Sequence, residues 1–314
     1  MSTHTDLRPA TPQQLVEHAL ATTTADDCTV VARASASANL RWANNTLTTN
    51  GVMAASDVTV VSFVGTATGS VSGSATTLAQ VTDLVEAADA AARSASPAED
   101  AAELVGGRTS PDWDDAPAST DIAVFADFAP ALGEAFGRAG AEDRVLYGFV
   151  DHGVVTTYLG SSRGLRLRHV QPTGHYACTA KTVDLGRSAW VGGATRDFRD
   201  VDALDMADRV ATRLGWSERR SELPPGRYDT ILPPTSVADL MIDAYWGAGA
   251  RVAHDGESVY SRRGGGTRIG EQLVRRGVDL YSDPAYGALA CAPFVVATAS
   301  DNTESVFDNG LPLG

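Results

Sequence analysis

The clearest candidate for chemistry is a loop in which one imidazole stands beside two carboxylates. His254, Asp255 and Glu257 fall within one short stretch, and imidazole nitrogens and carboxylate oxygens both bind divalent metals. Such a loop could hold a metal weakly, but a solvated turn is the favoured interpretation. No two of the six histidines are three, four or five residues apart, which is the spacing that lets one helical face present two imidazoles to a zinc ion.

Motifs for phosphate binding and for a serine nucleophile are absent or weak. The sequence has neither a GxxxxGK[ST] loop nor a GxGxxG motif. The three glycines at 264–266 could form an anion-binding concavity, and a mobile surface loop is the alternative. Residues 160–164, Gly-Ser-Ser-Arg-Gly, have the spacing of a nucleophile elbow, but they lie in a hairpin-like stretch rather than between a strand and a helix. They therefore predict no nucleophile.

Composition narrows the class of protein further. The 314 residues include 39 acidic and 25 basic side chains, a net charge of −14. The electrostatic field of this negative charge repels nucleic acid and anionic membrane surfaces. The three cysteines, Cys28, Cys178 and Cys291, lie far apart, which predicts buried, reduced thiols rather than a disulfide framework or a zinc knuckle. With no apolar leader and no apolar run of membrane length, the sequence predicts a cytoplasmic protein without nucleic-acid or membrane partners.

The elements that would position such residues are amphipathic helices and β-rich stretches. Thr11 and Thr77 are typical helix N-caps, and residues 28–74 are rich in β-branched side chains with short connections. Turns are predicted at Asn44–Asn45, Asn50–Gly51, Gly65 and Gly69. A third helix over 128–138, a strand-rich stretch over 145–191 and a fourth helix capped by Asp200 follow. Helices grouped around an antiparallel sheet indicate an α+β fold.

A change in composition divides the chain near residue 220. The Pro- and Gly-rich stretch that begins at Leu223 predicts a domain boundary. Residues 1–220 are expected to form an N-terminal domain of antiparallel sheet plus amphipathic helices, and residues 221–314 a β-rich second domain. A strand is predicted over Tyr228–Leu232 and a helix from Ser236. This helix is expected to bury its apolar stripe, which comprises Val237, Leu240, Met241 and Ala244.

Four segments, taken in order, resemble the TldD/PmbA family of zinc-peptidase proteins, also known as the modulator-of-gyrase type. Arg41-Trp-Ala-Asn-Asn45 resembles the family's R-x-x-N-N segment, and Leu159–Gly164 resembles its small-residue turn. Leu223–Pro234 resembles the start of the family's second domain, and Arg251–Pro284 resembles the stretch that runs to its Asp-Pro turn. By the order and spacing of these segments, which cover most of residues 28–314, the chain is identified as a member of the family.

The resemblance also implies which branch of the family this is. In the zinc-bearing branch, a helix of the second domain carries H-E-x-x-x-H, and the corresponding positions here fall near Ile242, Asp243 and Trp246. The chain therefore resembles the PmbA/TldE-like branch, which implies no metal in this chain and zinc in a partner subunit. The implied partner is a zinc-bearing TldD-like subunit, or a second copy of this chain in an oligomer, and the implied substrates are small peptides or unfolded segments. The family pattern extends past Gly314, so the second domain is expected to be incomplete.

The same resemblance makes four residues candidates for a peptide channel or a subunit interface. These are Arg41, Asn44, Asn45 and His254. For Asn44–Asn45 a plain hairpin turn is the alternative. Two other functions remain open from the residues alone: an independent hydrolase with non-standard ligands at His254, Asp255 and Glu257, and a homo-oligomeric binding or scaffold protein.

Overall fold

The computed structural model describes residues 9–98, 101–219 and 221–272, and beyond them residues 280, 283, 286, 287, 290, 291, 307, 308, 311 and 312. Its internal contacts divide the chain into two units, Met1–Ser221 and Glu222–Gly314. None of the helices in these described stretches combines the length and the apolar character that a membrane crossing requires.

The first unit contains one six-stranded sheet. Its strands are β1 Asp27–Ala43, β2 Thr46–Val64, β3 Ala67–Ser74, β4 Arg144–Ser161, β5 Arg166–Thr182 and β6 Ser188–Thr195. The spatial order is β3-β2-β1-β4-β5-β6, and every neighbouring pair is antiparallel. Two three-stranded meanders are thus joined through the β1–β4 pair. The predicted antiparallel sheet and the α+β class are confirmed.

Two of the predicted turns are wrong because the strands run through them. Asn50–Gly51 lies inside β2, where both residues pair with β1. Gly69 lies inside β3, and a Cβ at this position would overlap the helix backbone at Ala88 and Ala92. Gly69 therefore permits a close approach of strand and helix rather than a reversal of the chain.

Helices cover one face of this sheet. They are α1 Pro12–Thr22, α2 Leu78–Ser94, a 3-10 helix Ile122–Phe125, α3 Phe128–Ala141 and α4 Ala203–Trp216. The predicted N-caps Thr11 and Thr77 are confirmed, and each forms a capping box with the residue three positions later. The predicted cap of the fourth helix is wrong: Asp202 caps α4, whereas Asp200 accepts a hydrogen bond from the Thr195 hydroxyl at 2.5 Å.

Two apolar clusters lie side by side under these helices. Even-numbered residues near both ends of β1 are buried, and side chains two apart share one face of a strand. The first cluster packs under α1 and α2, and the second under α3 and α4. Members of the first include Leu15, Val30, Val60, Val85 and Tyr158, and members of the second include Trp42, Leu132, Leu146, Val150 and Met206.

The described part of the second unit contains helices α5 Pro234–Trp246 and α6 Ala250–His254, and the short strands β7 Phe307–Asp308 and β8 Leu311–Pro312. The strand predicted over Tyr228–Leu232 is wrong, since these residues belong to no ladder. The predicted burial of the α5 stripe is also wrong, because α5 has no buried residue. Much of the stretch where β-rich structure was expected, including residues 273–279 and 292–306, lies outside the described residues.

Candidate functional site

The Arg41–Asn45 segment forms the tip of the β1–β2 hairpin. Asn44 and Asn45 both have positive φ, 51° and 57°, and they connect Ala43 to Thr46 as a two-residue loop. Asparagine tolerates this left-handed conformation better than most residues, and such loops match the twist of the flanking strands. The hairpin turn is confirmed. The role of these residues in a peptide channel or interface stays a prediction.

The Asn45 side chain fastens this hairpin to the start of β4. Its Nδ2 donates to the Arg144 carbonyl at 2.9 Å, and its Oδ1 accepts from the Leu146 amide at 2.7 Å. The Asn45 amide also donates to the Leu146 carbonyl at 3.2 Å. Asn45 therefore extends the β1–β4 ladder past the end of β1, and both polar atoms of its side chain are hydrogen-bonded to β4. Arg41 and Asn44, in contrast, are exposed.

A row of three residues crosses the sheet just below this turn. Trp42 of β1 is in register with Gly148 of β4, which is in register with Cys178 of β5. Trp42 and Cys178 are buried. Burial raises the pKa of the Cys178 thiol to about 12, a rise that the neighbouring Trp42 indole only partly offsets. The thiol is therefore protonated and unreactive at neutral pH.

The other cysteines differ in burial. Cys28 is buried in the first cluster, and burial followed by the nearby Asp89 charge raises its pKa to about 12. Cys291 is exposed, so the prediction that all three thiols are buried is wrong for this one. All three are free thiols.

A buried carboxylate that sequence reasoning missed lies on α2. Asp89 accepts from the Ser62 hydroxyl at 2.6 Å, from the Thr23 hydroxyl at 2.8 Å, and from the Thr24 amide at 2.7 Å and hydroxyl at 2.9 Å. Burial alone would raise the pKa of Asp89, but these donors outweigh burial and lower it. With its lone pairs occupied, Asp89 joins α2 to the connection between α1 and β1 and to β2. It is not available as a base.

A signal for Asp89 was present in the sequence. Val81, Val85 and Ala88 mark the buried stripe of α2, and Asp89 follows Val85 by four residues. An acidic residue in such a stripe indicates a buried, hydrogen-bonded carboxylate.

The buried histidine of the first unit is also fully engaged. His152 Nε2 lies 2.8 Å from the Arg196 carbonyl, and Nδ1 lies 2.7 Å from the Thr120 hydroxyl. Because a carbonyl only accepts, Nε2 carries a proton, and in the neutral ring Nδ1 then accepts from the Thr120 hydroxyl. Neither nitrogen is free to bind a metal.

The positions that the resemblance aligned with a zinc motif lie on α5. Ile242, Asp243 and Trp246 are all exposed, Trp246 to 74%. An isoleucine offers no donor atom, and the indole nitrogen carries its hydrogen and donates only. These residues do not fit a zinc ion.

His254 ends α6 and is 78% exposed at its side chain. Its Nδ1 lies 3.4 Å from Asp255 Oδ1. Within the described residues, no three histidine, cysteine, aspartate or glutamate side chains converge to hold a metal. His254, Asp255 and Glu257 therefore do not form the metal site that was the less favoured interpretation, and Asp255 and Gly256 lie in a turn.

The glycine run of the second unit lies beside a basic cavity. Three arginines, Arg262, Arg263 and Arg268, line this cavity of about 560 Å³, and Glu271 pairs with the first and the last of them. Gly264, Gly265 and Gly266 all have positive φ, from 82° to 112°. An anion-binding nest alternates right- and left-handed residues, which these glycines do not, and all three are exposed, as expected for the surface loop that the sequence favoured.

Comparison with known proteins assigns the fold to a family. Residues 72–218 match the family model described as the PmbA/TldA metallopeptidase central domain. No curated protein matches the sequence. Three solved structures share the fold at 13–14% identity, and they show the fold alone.

The similar structures come from three organisms. TldE from Thermococcus kodakarensis is 13% identical with a TM-score of 0.53, and the match covers 65% of this chain and 47% of that one. A candidate modulator of DNA gyrase from Thermotoga maritima is 14% identical, with a TM-score of 0.52 and coverages of 68% and 50%. Another from Bacteroides thetaiotaomicron is 13% identical, with a TM-score of 0.58 and coverages of 78% and 57%.

The chain thus spans about half the length of the solved structures it matches. The matched domain takes in β4, β5, β6 and helices α2, α3 and α4, which carry Asp89, His152 and most of the second apolar cluster. Residues 72–218 thus match the central domain of the PmbA/TldD family, in agreement with the resemblance seen in the sequence.

Proposed function

We propose that this chain is the non-catalytic, TldE/PmbA-like subunit of a two-component metallopeptidase. It assembles with a zinc-bearing TldD-like subunit, and the complex cleaves small peptides or unfolded segments in the cytoplasm. This chain contributes to assembly and to holding the peptide, while the partner carries the metal. The observation that carries the proposal is the chemistry of helix α5.

Helix α5 supports the absence of a catalytic metal in this chain. A zinc peptidase needs nitrogen, sulfur or oxygen ligands and a base that activates the bound water. Of the three aligned residues, Asp243 alone has an oxygen that could accept a proton, and Ile242 and Trp246 have no ligand atom. A carboxylate without a metal beside it has no activated water to deprotonate.

Further support comes from the family and from the surface of the hairpin. The matched domain is described as a metallopeptidase domain, and one protein of similar fold is named TldE. At the hairpin tip, Arg41 and Asn44 are exposed and Asn45 fastens the turn from behind. The turn thus presents a cation and an amide that could contact a peptide or a partner.

The first test is the zinc content of the purified chain, measured by elemental analysis, together with its peptidase activity. We expect far less than one zinc per chain and no cleavage of an unfolded peptide. Mixing with a purified zinc-bearing TldD-family subunit should give a complex that contains zinc, cleaves the peptide and is inhibited by a chelator. About one zinc per chain in the isolated protein, with cleavage, would overturn the proposal.

A substitution in α5 tests directly whether Asp243 takes part in catalysis. Asp243→Ala should leave the peptidase activity of the assembled complex within about twofold, since the residue has no metal-bound water to act on. Asp239→Ala, on the same helix, is the matched control for any effect on folding. A loss of more than about tenfold for Asp243→Ala alone would make Asp243 catalytic.

A further inference from the structure

The cavity beside the glycine run of the second unit has an excess of positive charge. Arg262, Arg263 and Arg268 line it together with one carboxylate, Glu271. Three guanidinium groups against one carboxylate leave two positive charges, in a chain whose net charge is −14. Because a concave surface of one sign concentrates the electrostatic field, the cavity attracts anions that the rest of the chain repels. It is called the arginine pocket below.

A short hairpin fixes the backbone of this pocket. Ser261 and Thr267 form an antiparallel bridge, and the Arg268 amide donates to the Tyr260 carbonyl at 2.7 Å. The Tyr260 hydroxyl donates to the Ala244 carbonyl of α5 at 2.9 Å. The hairpin is therefore internally paired and anchored on a helix, and the arginines extend from an ordered backbone.

Glu271 shows how the pocket holds an oxyanion. Both Nε and Nη2 of Arg262 donate to its Oε1, the first at 3.0 Å, and Arg268 Nε donates to its Oε2 at 3.2 Å. These hydrogen bonds, those from Arg262 first, lower the pKa of Glu271, so its carboxylate is ionised at neutral pH. The Glu271 carboxylate thus bridges two guanidinium groups, which is the arrangement that favours binding of an anion.

Many hydrogen-bond donors of the pocket remain for a ligand. A guanidinium group has five N–H donors, and within the described residues Arg262 and Arg268 each use two. Arg263 is exposed, and no described carboxylate pairs with it. Ser258 and Ser261 also line the pocket, and each accepts a hydrogen bond from a backbone amide, so their hydroxyl hydrogens can donate to a ligand.

We propose that the arginine pocket binds the phosphate group of a small organic phosphate monoester. The planar forks of arginine match the oxygens of a phosphate in bidentate fashion. A phosphate monoester carries a charge of about −1.5 to −2 at neutral pH, which balances the two excess positive charges of the pocket. A single carboxylate would leave one of them unbalanced.

The size of the pocket defines the rest of the ligand. Its volume is about 560 Å³, within the range of sites for small organic molecules, and a phosphate group alone would fill only a small part of it. Val259 lines the pocket and is 75% exposed, so it offers an apolar contact to an organic group. The ligand therefore has an apolar part attached to its phosphate.

The test is isothermal titration calorimetry of the full-length chain with phenyl phosphate. Two comparison ligands separate its features: inorganic phosphate lacks the ring, and phthalate has a ring and two negative charges but carries them on planar carboxylates. We expect phenyl phosphate to bind at least about threefold more tightly than either, because it alone combines the ring with a tetrahedral dianion. Equal or tighter binding of phthalate, or of inorganic phosphate, would overturn the proposal.

Substitution of single arginines locates the site. Arg263→Ala should weaken the binding of phenyl phosphate by about fivefold or more, since the pocket loses one of its two excess charges. Arg251→Ala is the matched control, because it removes an exposed arginine of α6 that does not line the pocket, and it should leave binding within about twofold. Equal effects would mean that phosphate is attracted to exposed arginines in general, and would overturn the proposal.

Glu271→Gln tests the pocket in the opposite direction. Glutamine keeps an oxygen that can accept hydrogen bonds from Arg262 and Arg268 but carries no charge, so phenyl phosphate should bind about threefold more tightly. Damage to the pocket would weaken binding, which makes this gain specific to the charge of Glu271. Weaker binding in a variant with the thermal unfolding of the wild type would overturn the proposal.

The inference does not depend on the proposed function. Phosphate binding needs neither zinc nor a second subunit, so it is measured on the chain alone. Failure of the zinc and partner tests leaves the pocket assignment standing, and failure of these titrations leaves the subunit assignment standing.

Discussion

The Trp42 indole lies directly over the backbone of Gly148, its register partner across β1 and β4. A Cβ at Gly148 would overlap two ring atoms of Trp42 and also the Ala177 carbonyl. On its other sides the indole packs against Phe128, at 6.3 Å between ring centroids, and against Phe136, at 6.5 Å. Trp42 can therefore be buried just below the Asn44–Asn45 turn because residue 148 has no side chain.

Gly148→Ala should therefore destabilise the protein by about 1–3 kcal/mol, the usual effect of overpacking a tight core. Gly153→Ala on the same strand is the matched control, since its nearest neighbours would stand at 3.5 Å and beyond. The free energies of unfolding from urea titrations compare the two variants. Equal losses would mean that the contact with Trp42 does not decide the residue at 148.

Asp89→Asn should lower the free energy of unfolding by about 1–3 kcal/mol at neutral pH, because the amide cannot accept all the hydrogen bonds that the carboxylate accepts. The folded pKa of Asp89 lies below its unfolded value. Its contribution is therefore fully present above the unfolded pKa, about 3.9, and is lost as pH falls through the folded pKa.

Urea titrations from neutral pH to below pH 4 measure this dependence. The stability difference between wild type and Asp89→Asn should shrink as pH falls. Asp83→Asn, at an exposed position of the same helix, is the matched control and should not lower the unfolding free energy at neutral pH. A constant difference for Asp89→Asn would contradict the assigned charge state.

The two asparagines of the hairpin should respond differently to glycine. Both have positive φ, so glycine keeps the turn geometry at either position. Asn45→Gly removes the hydrogen bonds to Arg144 and Leu146 and should cost about 1–2 kcal/mol. Asn44→Gly, whose side chain is exposed, should change the unfolding free energy by less than about 0.5 kcal/mol. A lower denaturation midpoint for Asn44→Gly than for Asn45→Gly would contradict the role of Asn45 in fastening the hairpin to β4.

Arg41→Ala should weaken assembly with a zinc-bearing subunit, or peptide binding, by up to about fivefold, the effect of losing one exposed charge contact. Arg33→Ala is the control, since Arg33 is also exposed and on the same strand. Dissociation constants at low and high salt measure the effect, which should fall as salt rises. Unchanged constants for Arg41→Ala would remove Arg41 from the interface.

The helix caps and the hairpin turn were predictable from the sequence because each depends on interactions between residues only a few positions apart. Each capping box joins residues three apart, Thr11 with Gln14 and Thr77 with Gln80. The Asn44–Asn45 turn depends on the backbone preferences of two adjacent residues. The resemblance to the family likewise depends on the order of short segments along the sequence, and one of them, Leu159–Gly164, lies within the matched central domain.

Other features depended on partners distant in sequence, and local patterns misassigned them. Asn50–Gly51 has the composition of a turn, yet Asn50 is in register with Leu40 and Gly51 with Asn39 inside one continuous ladder. Pairing along the whole of β1 satisfies the backbone hydrogen bonds that a turn would have interrupted. The apolar stripe of α5 has the periodicity of a helix, and α5 is helical, but none of its residues is buried. Periodicity predicts the helix and its apolar face, but not whether another element packs on that face.

The sequence by itself determined the α+β class, the starts of α1 and α2, the hairpin turn at Asn44–Asn45 and the family resemblance of the central domain. Only the tertiary structure decided that β1 pairs with β4, that Asp89 is held by Thr23, Thr24 and Ser62, and that β2 extends past its pairing with β3. The reason is physical. Caps and turns are set by energies within a few neighbouring residues, whereas register and buried polar contacts are set by which distant segments can satisfy one another's backbone and side-chain groups.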